Sequence, residues 1–197
     1  MPGPRGPVKG AIFIQECLAD GVLEDKTFAP GYGEFKFVVP VHDEVADLAV
    51  YVPIDAVKGK MPATLKAVTA QTAPIFQAAP AENWRQLDQM SETIDRTWDK
   101  FEGSNQVPPL LEAQMEEAMD ALEAGVDAKD ADEVRQASIQ IAHASLDVEL
   151  RYRSPADVDK DRIGIWQRQI THDQQTGNPG DVIGDRATIQ AIRDRIR

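Results

Sequence analysis

A chain of 197 residues with 42% hydrophobic composition is long enough to bury a core, and its single cysteine, Cys17, excludes a disulfide framework within the chain. Its longest apolar runs, 35–41 and 48–54, are broken by charge or proline and fall short of the roughly 20 residues that span a bilayer. The formal net charge of −12 is unevenly spread: residues 1–80 carry 7 basic and 9 acidic side chains, 81–150 carry 5 and 17, and 151–197 carry 9 and 7.

An acidic middle repels phosphate backbones and argues against nucleic acid as a partner. The contrast between that middle and a mildly basic tail points instead to a protein partner or to a homo-oligomer. With no membrane-spanning run, the reading is a soluble protein, cytoplasmic by default and extracytoplasmic if a signal peptide has been removed.

In chain order, the first ten residues hold three prolines and three glycines, a composition that predicts a flexible arm over 1–10. Ala11 to Ile14 is a compact apolar run, expected as a strand that ends near the turn signal Ala19-Asp20-Gly21. Ala29-Pro30-Gly31-Tyr32-Gly33 is expected as a loop. Phe35, Phe37, Val39 and Val41 then alternate at period two, and Leu48, Val50 and Val52 repeat the spacing, which predicts a strand pair. Pro40 and Pro53 push both strands towards sheet edges.

The connecting residues His42, Asp43, Glu44 and Asp47 form the densest group of metal-ligand types in the chain. Hard cations prefer such oxygens. The sharp-turn glycine of an EF-hand loop is missing, and a histidine beside acids is also the makeup of an ordinary surface loop.

Residues 55–79 are poor in charge and punctuated by Pro62, Pro74 and Pro80. They read as a bridge carrying a short helix through Leu65, Val68 and Thr72, with Pro62 at its start. This sets the expected organisation: a strand-bearing region over 1–80, and an acidic helical-bundle domain over 81–197.

Glu82 to Phe101 places Trp84, Leu87, Ile94, Trp98 and Phe101 at helical spacing, with Gly103-Ser104-Asn105 as the stop. Two tryptophans on one helix suggest either core or an aromatic pocket for a small ligand. Pro108-Pro109 opens the next helix, whose buried stripe runs through Leu111, Met115, Ala118 or Met119, Leu122 and Val126. On its other side lie Glu112, Glu116, Asp120, Glu123 and Asp127, an acidic ribbon that is either a solvated face or a surface for a basic partner.

Asp127 to Asp130 is a short break, and Asp130 is positioned to cap a third helix packed antiparallel to the second. That third helix carries two apolar stripes, Val134, Ile141, Val148 and Tyr152 on one and Ile139, His143, Leu146 and Leu150 on the other. His143 therefore sits in an apolar stripe with Asp147 one turn later, placed to orient the imidazole. With Met90 on the first helix, or with nearby carboxylates, it makes a candidate site for haem or a divalent metal in a bundle, to be weighed against a hydrogen-bonded core histidine.

Ser154-Pro155 stops this helix and starts the next, which buries Ile163, Trp166 and Ile170 and ends at His172, where the helix dipole favours an imidazole. Thr176 to Gly180 is a loop, and a last helix through Ile189, Ile192 and Ile196 ends in Arg193, Arg195 and Arg197. These arginines are expected to dock on the acidic ribbon of this chain or of another subunit.

No phosphate loop, Cys-x-x-Cys, His-Glu-x-x-His or Gly-x-Ser-x-Gly motif is present, so nothing in the sequence argues for an enzyme. The expected architecture is mainly α, with a small β-containing N-terminal region and an up-and-down bundle of four or five helices. The expected function is a non-catalytic interaction or accessory protein presenting an acidic helical face.

Overall fold

A computed structural model describes residues 2–3, 6–7, 10–29, 33–39, 44–46, 57, 59–105 and 107–196. The chain divides into two compact units, Met1–Val52 and Pro53–Arg197.

The first unit is a four-stranded antiparallel sheet in the order β3-β4-β5-β6, with β3 at Ile12–Cys17, β4 at Leu23–Ala29, β5 at Gly33–Val39 and β6 at Glu44–Ala46. Ahead of it, β1 (Pro2–Gly3) and β2 (Gly6–Pro7) form a minimal antiparallel ladder where the composition predicted only a loose arm. β3 begins and ends later than the apolar run 11–14, and it turns into β4 at Gly21, whose φ of +85° is a left-handed geometry that glycine adopts without strain.

β4 is a strand the hydrophobic pattern did not reveal. Its central Lys26 bridges Glu16 of β3 at 2.6 Å and Glu24 at 2.9 Å and lies over the Phe37 ring, so cross-strand charge pairing ties it into the sheet. β5 is the alternating Phe35–Val39 run. Among the described residues it pairs, on the side away from β4, with the three-residue β6, Val39 with Glu44 and Phe37 with Ala46, and the expected partner run 48–52 lies outside the described residues. The 42–47 connection is therefore partly strand, because Val45 and Ala46 continue the ladder beside Val38 and Phe37. Edge strand β3 leaves Ile12, Phe13 and Ile14 between 44% and 57% exposed.

The second unit is helical: α1 Ala63–Ala78, α2 Trp84–Glu102, α3 Pro109–Ala128, α4 Ala131–Glu149, α5 Pro155–Thr176 and α6 Pro179–Arg195. The second unit begins at Pro53 and so includes the stretch expected as a bridge. α1 is a full helix rather than a bridge, because Leu65, Val68, Thr72, Ile75 and Phe76 give it a buried stripe that packs on α2 and α4.

Helices α1 to α4 close on one another in sequence order and α4 returns to α1, the up-and-down arrangement that the short connections require. α5 packs on α4, and α6 on α5. Helix α4 is the central element, buried through Val134, Ile141 and Val148 on one side and Ile139 and Leu146 on the other. Phe76, Ile139, Ala142, Leu146, Val158 and Ile165 join α1, α4 and α5 in one apolar cluster.

The helix ends follow their expected chemistry. The Asp130 carboxylate accepts the Asp132 and Glu133 amides at 2.9 and 3.1 Å, and the Ser154 hydroxyl accepts the Asp157 amide at 3.2 Å. Between α3 and α4 the backbones approach closely at Gly125, where an added Cβ would stand 3.0 Å from the Val134 amide nitrogen. Among the described residues, no helix is long and apolar enough to cross a membrane.

Candidate functional site

The acidic ribbon lies where the period of α3 predicts. Its buried stripe, Leu111, Met115, Ala118, Met119, Leu122 and Val126, is packed inward, while Glu116, Asp120, Glu123 and Asp127 are exposed and Glu112 is half-buried. The ribbon has a neighbour that the sequence reading did not single out. On α2, Asp88, Glu92, Asp95, Asp99 and Glu102 recur at spacings of four and three, a second acidic stripe on a helix that packs against α3. That spacing is legible in the sequence, where it interleaves with the apolar stripe of Trp84, Leu87, Ile94 and Trp98.

The two stripes meet at two places. Midway along the helices, Asp88, Ser91, Glu92 and Asp95 of α2 and Met119, Asp120 and Glu123 of α3 line a cleft of about 170 Å³. Towards the α2 C-terminus, Glu102, Glu112 and Glu116 each bring a carboxylate oxygen within 4.8 Å of the others.

Two of these carboxylates, Asp95 and Glu102, resist ionisation. Burial raises the Asp95 carboxyl above its ordinary range, with the charges of Asp99 and Asp120 adding to it. Glu102 is raised by burial first, then by its hydrogen bond to Glu112 and the charges of Glu112, Glu116 and Asp99. Among the described residues only Arg96 answers within the seam, paired with Glu92 at 3.5 Å.

Among the described residues of the basic C-terminal tip, Arg195 turns to α5 instead. Arg195 makes a bidentate pair with Asp159 of α5, at 2.6 Å from both Nε and Nη2, because the short turn after α5 folds α6 back along α5 rather than towards α3. Arg193 is exposed, and Arg197 lies outside the described residues.

His143 is half-buried on α4, its ring 5.0 Å from that of Trp166 on α5 and tilted by 56°. Asp147 does not orient it, since its carboxylate is engaged by Arg162. Burial, and after it the positive charges of Arg162 and Arg168, hold the His143 imidazole down at about 4. Those arginines also oppose a bound cation.

Met90 belongs to a different interface, where it lines a cavity with Gln71, Pro74 and Ile75 of α1. The structure thus sets His143 towards α5 and Met90 towards α1, and does not bring the two together as a ligand pair. Of the N-terminal metal-ligand group, His42, Asp43 and Asp47 lie outside the described residues, and Glu44 is in β6.

The tryptophans are likewise separated. Trp98 is 2% exposed and packs on Phe101 at 5.4 Å, while Trp84 starts α2 and is half-buried. Fourteen residues of helix put about 21 Å of axial rise between them, too far for both to line one small pocket. No protein family, no curated protein and no solved structure matches this chain.

Proposed function

We propose that this protein is a non-catalytic interaction subunit that offers the α2–α3 seam to a cationic partner, a Lys/Arg-rich segment of another protein chain. The observation that carries the reading is the convergence of two five-carboxylate stripes on neighbouring helices, of which only Glu92 has an ion pair among the described residues. Like charges one turn apart repel by a few tenths of a kcal/mol per pair. The carboxyls of Asp95 and Glu102 are raised by burial first, and the neighbouring carboxylate charges add to it. A basic partner relieves the repulsion, and the field of the acidic face steers that partner in.

The reading is tested with a fluorescently labelled nonalysine peptide, its anisotropy followed at about 50 mM and about 300 mM NaCl. Binding at low salt that weakens at least tenfold at high salt is the expected result. Absence of binding at low salt contradicts the proposal.

A second reading rests on Glu102, Glu112 and Glu116 alone, whose converging oxygens resemble part of a hard-cation donor set. It predicts a melting temperature that rises by a few degrees in about 1 mM CaCl₂ and loses that rise in Glu102→Gln. A calcium-independent melting temperature disposes of it.

A further inference from the structure

Helix α6 is held to the rest of its unit along a single side. Its buried stripe is Val182, Asp185, Ile189 and Ile192, so an aspartate occupies an inward position that the helical period assigns to an apolar residue. Among the described residues α6 packs extensively on α5 alone, and it is tethered there by a short turn through Gly177, at a φ of +80°, and Asn178. The Arg195–Asp159 pair fastens its far end.

The inward aspartate meets a second one. Asp185 is 7% exposed, Asp173 of α5 is 4% exposed, and their carboxyls hydrogen-bond each other across the helix interface. Gln169 Nε2 donates to Asp173 Oδ1 at 3.0 Å, and neither Asp173 Oδ2 nor Asp185 Oδ2 receives a donor from any other described residue. Two ionised carboxylates accept only, so the contact requires one proton, carried by Asp185 and donated to Asp173. The charges that reach Asp185 are those of Asp173 on α5 and Asp181 on α6, both negative. Of the other buried titratable groups on α5, Asp159 is paired with Arg195, and His172 lies beside Asp173 in the chain.

We propose that the Asp173–Asp185 pair is a proton-gated latch, which keeps α6 docked on α5 while one proton is shared and lets the helix swing out about the Gly177–Asn178 turn when that proton is lost. Ionisation of both acids sets two negative charges in contact where water is largely excluded and their repulsion is weakly screened. Undocking rehydrates both carboxylates, at the expense of exposing Val182, Ile189 and Ile192. The sign of the dependence follows from the Asp185 carboxyl, which burial and then Asp173 raise from 3.8 to about 6. The advantage of the docked helix is complete below about pH 4 and is lost as pH rises through about 6.

The test is amide hydrogen exchange of the full chain, followed by mass spectrometry from about pH 5 to about pH 8, with each rate divided by the intrinsic rate at that pH to give a protection factor. The expected result is that α6 is less protected than α3 and α4 throughout, and that its protection falls about tenfold across this range. In Asp185→Asn the side-chain amide donates to Asp173 at every pH, so α6 protection should stay level within about twofold. Three results overturn the proposal: α6 protection that is level in the parent chain, α6 protection equal to that of α3 and α4, which means that it opens only when the whole unit unfolds, and a fall that persists in Asp185→Asn, which assigns the titration to His172. The first two are read on the parent chain alone, so the test stands if the variant does not fold.

Discussion

The carboxyl of Asp185 sits at about 6, raised from 3.8 chiefly by burial and then by Asp173, whereas the imidazole of His143 is held down at about 4 by burial and by Arg162 and Arg168. The consequences for stability have opposite signs. The folded chain holds the Asp185 proton more tightly than the unfolded chain, so this group's contribution falls as pH rises from about 4 through about 6. The unfolded chain protonates His143 first, so that contribution falls as pH drops from 6.5 through about 4. Asp185→Asn removes the first effect. It should raise the melting temperature at pH 7 by a few degrees, on the order of 1–2 kcal/mol, and leave stability declining steadily on acidification below about 6.5. A melting-temperature profile across pH unchanged from the parent chain contradicts this account. His143 is predicted to show no titration between about pH 8 and about pH 5 when its ring protons are followed by NMR; a midpoint near 6.5 would show the imidazole to be solvated.

Among the elements, α3 and α4 approach each other closely at Gly125, whose missing side chain permits it. A methyl group there meets the Val134 nitrogen at 3.0 Å and the Glu133 Cβ at 3.2 Å, and neither belongs to a side-chain end that could swing aside. Gly125→Ala should therefore cost about 1–3 kcal/mol, despite the better helix propensity of alanine. Gly164, inside α5, has nothing within 4 Å of its added Cβ, and Gly164→Ala should gain about 0.5–1 kcal/mol. Chemical denaturation of both variants checks the pair, and equal effects would mean that α3 and α4 are not so close.

The same elements show what the sequence made legible. Helices α2 to α5 announce themselves because apolar residues recur every three or four positions between recognisable caps, Asp130 and Ser154 among them. α1 was reduced to a short helix in a bridge because Pro62 and Pro74 read as punctuation, yet Pro74 is accommodated inside the helix while Ile75 and Phe76 are buried beyond it. β4 was missed because Glu24, Asp25 and Lys26 mask its alternation, and its pairing is fixed by charges on a neighbouring strand that local periodicity does not report. The α3 ribbon was readable from one helix alone. The Asp173–Asp185 pair was not, since twelve positions and a turn separate two residues that only the packing of α6 on α5 brings together.

At the scale of the whole molecule, the net charge of −12 is carried by the stretch 81–150, and the structure gathers much of it into one seam between α2 and α3. The basic C-terminal helix spends Arg195 on Asp159, leaving the seam unanswered within the described residues apart from Arg96. A cationic partner is the physical complement of such a face.

The most direct measurement compares nonalysine binding at about 50 mM NaCl by the parent chain, by a seam variant carrying Glu116→Gln, Asp120→Asn and Glu123→Gln, and by a control variant carrying Glu82→Gln, Asp132→Asn and Asp194→Asn. All six positions are acidic residues of the chain, so the two variants share one net charge. If the seam is the docking face, the seam variant binds at least tenfold more weakly while the control stays within about twofold of the parent. Equal weakening in both variants would mean that the peptide senses only overall charge, and would contradict a dedicated acidic face on α2 and α3.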